Sequence, residues 1–167
     1  VRKFEQTRSK VVSVLGSHDG SMVATSAMRQ GKMSAEGTLR DSSGTRLVTL
    51  AGGVDQFEAF SRDGARILGV RTGAFVDYDI VGLWDTRTGV LVHSDRATSP
   101  AVFSPNGRRF VAARAGDSAK VWEVDKQDSA KWKPLAELST DARLVSIKFA
   151  PSGNRIATVD SLGKVVL

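Results

Sequence analysis

Val145, Ile147 and Phe149 alternate with Ser146 and Lys148. This period-two pattern sets one face of a short strand toward an interior and the other toward water. The strand runs into Pro151-Ser152-Gly153, and a second apolar run, Arg155-Ile156-Ala157-Thr158-Val159, follows. Proline presets φ at the second turn position, and glycine supplies the positive φ that closes a tight hairpin. The same succession occurs around Phe60-Ser61-Arg62-Asp63-Gly64, before Arg66 to Val70, and around Phe103-Ser104-Pro105-Asn106-Gly107, before Arg109 to Ala113. A degraded copy, Gly16-Ser17-His18-Asp19-Gly20, precedes them. The closing glycines Gly20, Gly64, Gly107 and Gly153 recur at a spacing of roughly 44 residues, and a fixed period in this range marks a repeat architecture.

Each unit continues in the same way. A polar or glycine-containing loop leads to a third strand ending in an aromatic-acid pair, Leu83-Trp84-Asp85 or Val121-Trp122-Glu123. After Thr86-Arg87-Thr88-Gly89 comes a fourth strand, Val90 to His93. One period thus predicts four short strands joined by hairpin turns, and helical periodicity is nowhere sustained. On these motifs the chain resembles the WD40-repeat (WD-repeat) β-propellers over nearly its whole length, as a divergent member. The fullest copy runs from Phe60 to Thr88-Gly89, with an insertion over Thr72 to Tyr78. The first copy has Arg40-Asp41 in place of Trp-Asp, and Gly52-Gly53 stand where the family carries Gly-His. The buried His–Ser/Thr–Asp–Trp network of many members is therefore incomplete, although Thr25 and Thr158 align with its hydroxyl.

The resemblance implies an all-β fold, a β-propeller of four-stranded antiparallel blades. It holds about four blade units, near 1–44, 45–88, 89–131 and 132–167. Lys3-Phe4-Glu5-Gln6 aligns with Ala136 to Ser139 as a fourth strand, so each sequence unit runs fourth, first, second, third. One blade cannot bury its faces alone. An end face of ~400 Å² left in water would forfeit roughly 10 kcal/mol at ~25 cal/mol per Å². A whole domain is stable by only ~5–15 kcal/mol. Three closures follow: further blades of a longer chain, which is the favoured one, a homodimer, or a self-closed four-bladed ring.

Composition narrows the chemistry. Cysteine is absent, which excludes disulfides, thiolate metal sites and cysteine nucleophiles and fits a cytoplasmic protein. No apolar run approaches a membrane span. Net charge is +6, but the arginines are scattered, so nucleic acid is not the expected partner. The Ala-, Arg- and Gly-rich composition points to a bacterial source. His18 and His93 are expected at opposite rims and form no pair. Asp77-Tyr78-Asp79 opens like a calcium loop but meets Val81 and Thr88 where acidic ligands are required. No catalytic, cofactor or metal residue is assigned. Trp84 and Trp122, at one repeat position, are read as packing between blades. Trp132 is read as either an exposed contact or a fourth-strand anchor.

The candidate partner-binding face is the rim opposite the repeated turn. Seven residues past each turn glycine stand Ala27, Arg71, Arg114 and Asp160. The blade linkers add Arg8, Lys10, Asp55, Asp95, Arg96, Asp141 and Arg143. Arg71, Arg114, Asp160, Arg143, Arg96 and Lys10 are the candidates, and a non-repeating ring of charge suits a protein or peptide partner. Gly20, Gly64, Gly107, Gly153, Trp84, Asp85 and Trp122 are the structural signature. The resemblance implies a non-catalytic interaction scaffold or sensor module within a larger signalling or regulatory protein. The alternatives are a ligand-binding or enzymatic propeller with a central-channel site, and a basic nucleic-acid-binding propeller. A direct test of the turn is Gly107→Val, which is expected to cost about 1–3 kcal/mol because a β-branched residue resists positive φ. An unchanged urea midpoint would refute the turn assignment.

Overall fold

The computed structural model describes residues 9–29, 31, 35–72, 78–124 and 132–167. Their strands form four antiparallel sheets in chain order. The first contains β1 (Ser9–Gly16), β2 (Met22–Arg29), β3 (Glu36–Asp41) and β4 (Arg46–Thr49). The second contains β5 (Gln56–Phe60), β6 (Arg66–Arg71), β7 (Ile80–Asp85) and β8 (Leu91–Arg96). The third contains β9 (Thr98–Phe103), β10 (Arg109–Ala113), β11 (Ser118–Val124) and β12 (Trp132–Ser139). The last has β13 (Leu144–Phe149), β14 (Ile156–Asp160) and the two-residue β15 (Val165–Val166). Neighbours in sequence are neighbours in each sheet, so every sheet is a meander. The sequence unit and the hydrogen-bonded unit are offset by one strand. β4, which opens the second sequence unit, pairs with β3 of the first sheet. Lys3 to Gln6 lie outside the described residues.

The sheets pack face to face along their first strands, β1 on β5, β5 on β9, and β9 on β13. Among the described residues β13 is not packed on β1 in this way. Burial on both faces explains the sequence of the middle strands. β6 and β7 are each buried at four consecutive positions, where a half-exposed sheet would alternate. Ile67 and Trp84 face the first sheet, in a cluster with Ala24 and Leu39. Leu68, Val70, Val81 and Leu83 face the third, against Phe110 and Trp122. Trp122 stacks on its cross-strand partner Phe110, with ring centroids 4.6 Å apart and 9° between planes. Such a pair adds about 0.5–1.5 kcal/mol beyond its buried area. Val54, in the link from β4 to β5, is wholly buried between two glycines. A Cβ on Gly37 of β3 or Gly69 of β6 would lie 2.3 or 2.5 Å from a Val54 methyl.

The repeated phrase folds as one turn four times. Gly64 donates to the Ser61 carbonyl, the Ser61 hydroxyl donates to Asp63, and the Arg66 amide donates to the Ser61 hydroxyl. Ser104, Asn106 and Arg109 repeat this, and so do Ser17, Asp19 and Met22 of the degraded copy. The Ser21 amide, with the Ser17 and Ser21 hydroxyls, holds the Asp19 carboxyl down to about 2. Ala150 keeps only the backbone bonds, because it has no hydroxyl to give. All four closing glycines have φ between 67 and 73°. At the other hairpin on this rim, Asp85 accepts the Arg87 and Thr88 amides and the Thr88 hydroxyl. Asp41 caps its turn in the same manner, although Arg40 precedes it where a tryptophan is expected.

Simple alternation fails in each first strand. Register shifts occur between Val11 and Ser13 in β1, between Phe57 and Ala59 in β5, and between Leu144 and Ser146 in β13. On β9 the break falls over Ser99-Pro100, where proline's missing N–H is tolerated. The bulge turns Val145 outward to 47 % exposure, which corrects the expectation that it faces inward with Ile147 and Phe149. Bulging also frees backbone donors, and the neighbouring sheet takes them up. The Phe57 amide donates to Ser13 Oγ at 3.0 Å, and the Ala101 amide donates to Glu58 Oε2 at 3.1 Å.

Glycine at the two turn families has different work. Gly20 and Gly89 share φ +71, but a Cβ on Gly20 meets nothing, whereas one on Gly89 would lie 2.3 Å from the Thr49 carbonyl oxygen. Gly20→Ala is expected to cost about 1 kcal/mol from backbone strain alone. Gly89→Ala is expected to cost about 1–3 kcal/mol more, because backbone must move. Equal shifts in urea midpoint would contradict the contact.

Candidate functional site

An antiparallel meander places alternate connections at opposite rims. The repeated turns and the β3–β4 and β7–β8 hairpins share one rim. The β6–β7 and β10–β11 connections share the other with the links between sheets. On this second rim a cleft of about 680 Å³ draws from four connections at once. Tyr78 and Asp79 come from the β6–β7 connection, Arg96 and Thr98 flank the β8–β9 link, Arg114 follows β10, and Arg143 precedes β13. Three of the six candidate residues therefore meet in one place.

Their surroundings differ from those of the nearby acids. Arg96 lays its guanidinium over the Tyr78 ring, 4.1 Å from the centroid. Arg143 is exposed and has no side-chain partner among the described residues. Arg114 reaches Glu137 at 3.6 Å, but that pair is half in water and holds it weakly. The carboxylates are occupied by the fold. Asp79 accepts the Thr98 hydroxyl at 2.6 Å. Asp55 accepts the amides of Ala35 and Thr72 and the Thr72 hydroxyl, bracing two connections. Asp95 takes Lys120 at 2.9 Å and the Arg96 amide at 2.7 Å. Asp141 pairs with Lys164. Asp117 is an exposed exception and does not line the cleft.

The other candidates lie apart from this cleft. Asp160 ends β14 with 3 % of its surface exposed, and one carboxylate oxygen accepts the Leu162 and Lys164 amides. It closes the β14–β15 turn, as Asp41 closes the turn after β3. Arg71 donates to the Gly52 carbonyl at 2.9 Å and so ties β6 to the preceding link. Lys10 is exposed within β1, opposite Met28, rather than in a linker. Ala27 is buried on β2. Arg8 and Asp77 lie outside the described residues. The sequence missed Tyr78 as the platform for Arg96, since it falls in what read as an insertion.

His93 lies inside β8 opposite Leu83, not at the strand's end, while His18 lies in a turn on the far rim. Burial pushes the His93 imidazole below its ordinary value, with Asp95 opposing and Lys120 reinforcing the shift. Among the described residues no group of three His, Asp or Glu is placed to hold a metal ion. No helix among them is long and apolar enough to cross a membrane. Another hollow of about 590 Å³ is lined by residues of β12 and β14, and its described lining sets Arg155 and Glu137 among Leu138, Ile156 and Val166.

The Dos1 propeller superposes with a TM-score of 0.72 over 99 % of this chain and 43 % of its own, at 13 % identity. The fold is that of a β-propeller. The Cps50 (Swd1) propeller domain of Myceliophteria thermophila gives 0.64 over 93 % and 51 %, at 18 % identity. Hydrazine synthase of Kuenenia stuttgartiensis gives 0.58 over 87 % and 48 %, at 16 % identity. The chain thus spans about half the length of these structures. Neither a family model nor a curated protein sequence matches it. Because proteins as different as the Dos1 propeller and a hydrazine synthase share this architecture, the likeness carries the fold and leaves function to the site.

The half-buried His93 sets a pH dependence. Its folded pKa is lowered from 6.5, so the stability linked to its neutral form is complete above that value and is lost as pH falls through the folded pKa. The urea midpoint is expected to drop below pH about 6.5 in the parent chain. His93→Asn removes this component, and an identical pH profile in the variant would contradict it.

Proposed function

We propose that this chain is a non-catalytic protein-interaction platform of WD-repeat type, working within a larger cytoplasmic signalling or regulatory protein. The binding face is the rim that carries the β6–β7 and β10–β11 connections and the links into β9 and β13. One observation carries this reading: Arg96, Arg114 and Arg143, far apart in sequence, converge on one cleft. Their neighbouring acids Asp55, Asp79 and Asp95 are already committed within the fold. Functional groups on connections held by a rigid scaffold suit recognition of a partner.

The test compares two double variants on an array of peptides of mixed composition. Arg114→Glu with Arg143→Glu alters the cleft. Arg62→Glu with Arg108→Glu makes the same charge change on exposed turns of the opposite rim. The parent and the opposite-rim variant are expected to bind the same peptides. The cleft variant is expected to lose them by about tenfold or more while keeping its urea midpoint. A binding profile that survives in the cleft variant refutes this face.

A further inference from the structure

We infer that the cleft between the second and third sheets recognises side-chain carboxylates of an acidic peptide segment. This rests on the rim being a peptide-binding face and adds the chemistry of what it takes. Among the described residues three guanidinium groups and one carboxylate line the cleft, and that carboxylate, Asp79, already accepts the Thr98 hydroxyl. Among the described residues the cleft therefore has an excess of positive charge, offset only by the exposed Arg114–Glu137 pair.

The arginines are presented in ways that favour planar acids. The Tyr78 ring, 4.1 Å from Arg96 Cζ, restrains the guanidinium at the cleft, and a guanidinium held on an aromatic face keeps its planar N–H fork for a partner. A carboxylate matches such an edge with two parallel hydrogen bonds. Arg143, exposed and without a side-chain partner among the described residues, contributes a second fork to the same cleft. Arg114 is held by Glu137 at 3.6 Å, so an incoming carboxylate competes with an exposed pair that contributes little. Ala115 and Gly116 form part of the wall with nothing larger than a methyl group. Space beyond Gly116 is open, since a Cβ there would meet no atom within 4 Å. An extended backbone can therefore lie close to that wall while its acidic side chains reach the three guanidinium groups.

Nucleic acid fits these features less well. A strand is tracked by a continuous basic groove and by aromatic faces on which bases stack. Here one ring face of Tyr78 is already covered by Arg96. The acids Asp55, Asp95 and Asp141 border the same rim and interrupt any basic track.

Fluorescent octa-glutamate, octa-glutamine and a single-stranded DNA oligonucleotide serve as probes of the chain in anisotropy titrations. Two triple variants separate the cleft from bulk charge. Arg96→Gln, Arg114→Gln and Arg143→Gln empty the cleft, whereas Arg62→Gln, Arg87→Gln and Arg108→Gln remove equal charge from the opposite rim. Octa-glutamate is expected to bind the parent and the opposite-rim variant alike. It is expected to bind the cleft variant about tenfold or more weakly and to weaken as salt rises. Octa-glutamine is expected not to bind. The inference is overturned if octa-glutamate fails to bind the parent or binds the two variants equally. Equal binding of octa-glutamine overturns it too, as does DNA that binds at least as tightly through the same arginines. If the peptide array still shows cleft-dependent capture of neutral or basic sequences, only the acidic specificity falls. If the array shows no cleft dependence, the binding face itself falls.

Discussion

Val54 sits wholly buried in a slot that exists only because Gly37 on one sheet and Gly69 on the next lack side chains. The rest of the assembly depends on this kind of seam. A four-stranded meander exposes two broad faces and has too little interior of its own to offset the entropy of ordering it. Each face must therefore be covered by a neighbour at close range. The Gly37–Val54–Gly69 contact fixes the approach of the first two sheets to the scale of a single methyl group. Trp84 closes the same seam from the outer side, where its indole N–H donates to the Ala51 carbonyl at 2.7 Å. The third sheet uses a different solution for the same need, a Trp122–Phe110 stack against the aliphatic face of β6 and β7. Similar seams can thus be built from dissimilar residues, which accounts for weak sequence resemblance beside a recognisable architecture.

Much of this architecture was legible because turns obey local rules. Positive φ at Gly20, Gly64, Gly107 and Gly153 is required by a two-strand hairpin, and glycine meets that need in every copy. The serine hydroxyl that caps the turn is visible in three copies and missing at Ala150, where backbone bonds suffice. The offset between sequence unit and sheet was also latent in the alignment of strands. The bulges were not. A period-two reading carries through Val145 without interruption, and only pairing across to β14 reveals the extra residue that turns it outward.

The rim on which the candidate residues stand was legible in part for the same reason. Counting from the turn glycine assigns Arg71, Arg114 and Asp160 to one rim, since strand length is nearly constant. It says nothing of which groups the fold itself consumes. Asp160 and Arg71 differ from Arg114 and Arg143 through hydrogen bonds to the Leu162 and Lys164 amides and to the Gly52 carbonyl. Such bonds depend on where a neighbouring loop comes to rest. Tyr78 was hidden for a related reason, because an insertion has no counterpart in the other repeats with which to align it.

The amides of Phe57 and Ala101 are satisfied by side chains of the preceding sheet, Ser13 and Glu58. Hydrogen exchange at these two positions is therefore governed by a neighbour's opening, not by that of the strand to which each amide belongs. Separation of the first sheet from the second exposes Phe57 N–H while β5 and β6 remain paired. Detachment of the second from the third does the same for Ala101. The bulged first strands thus divide protection between sheets, so that loss of one element is registered in the next before its own ladder has opened.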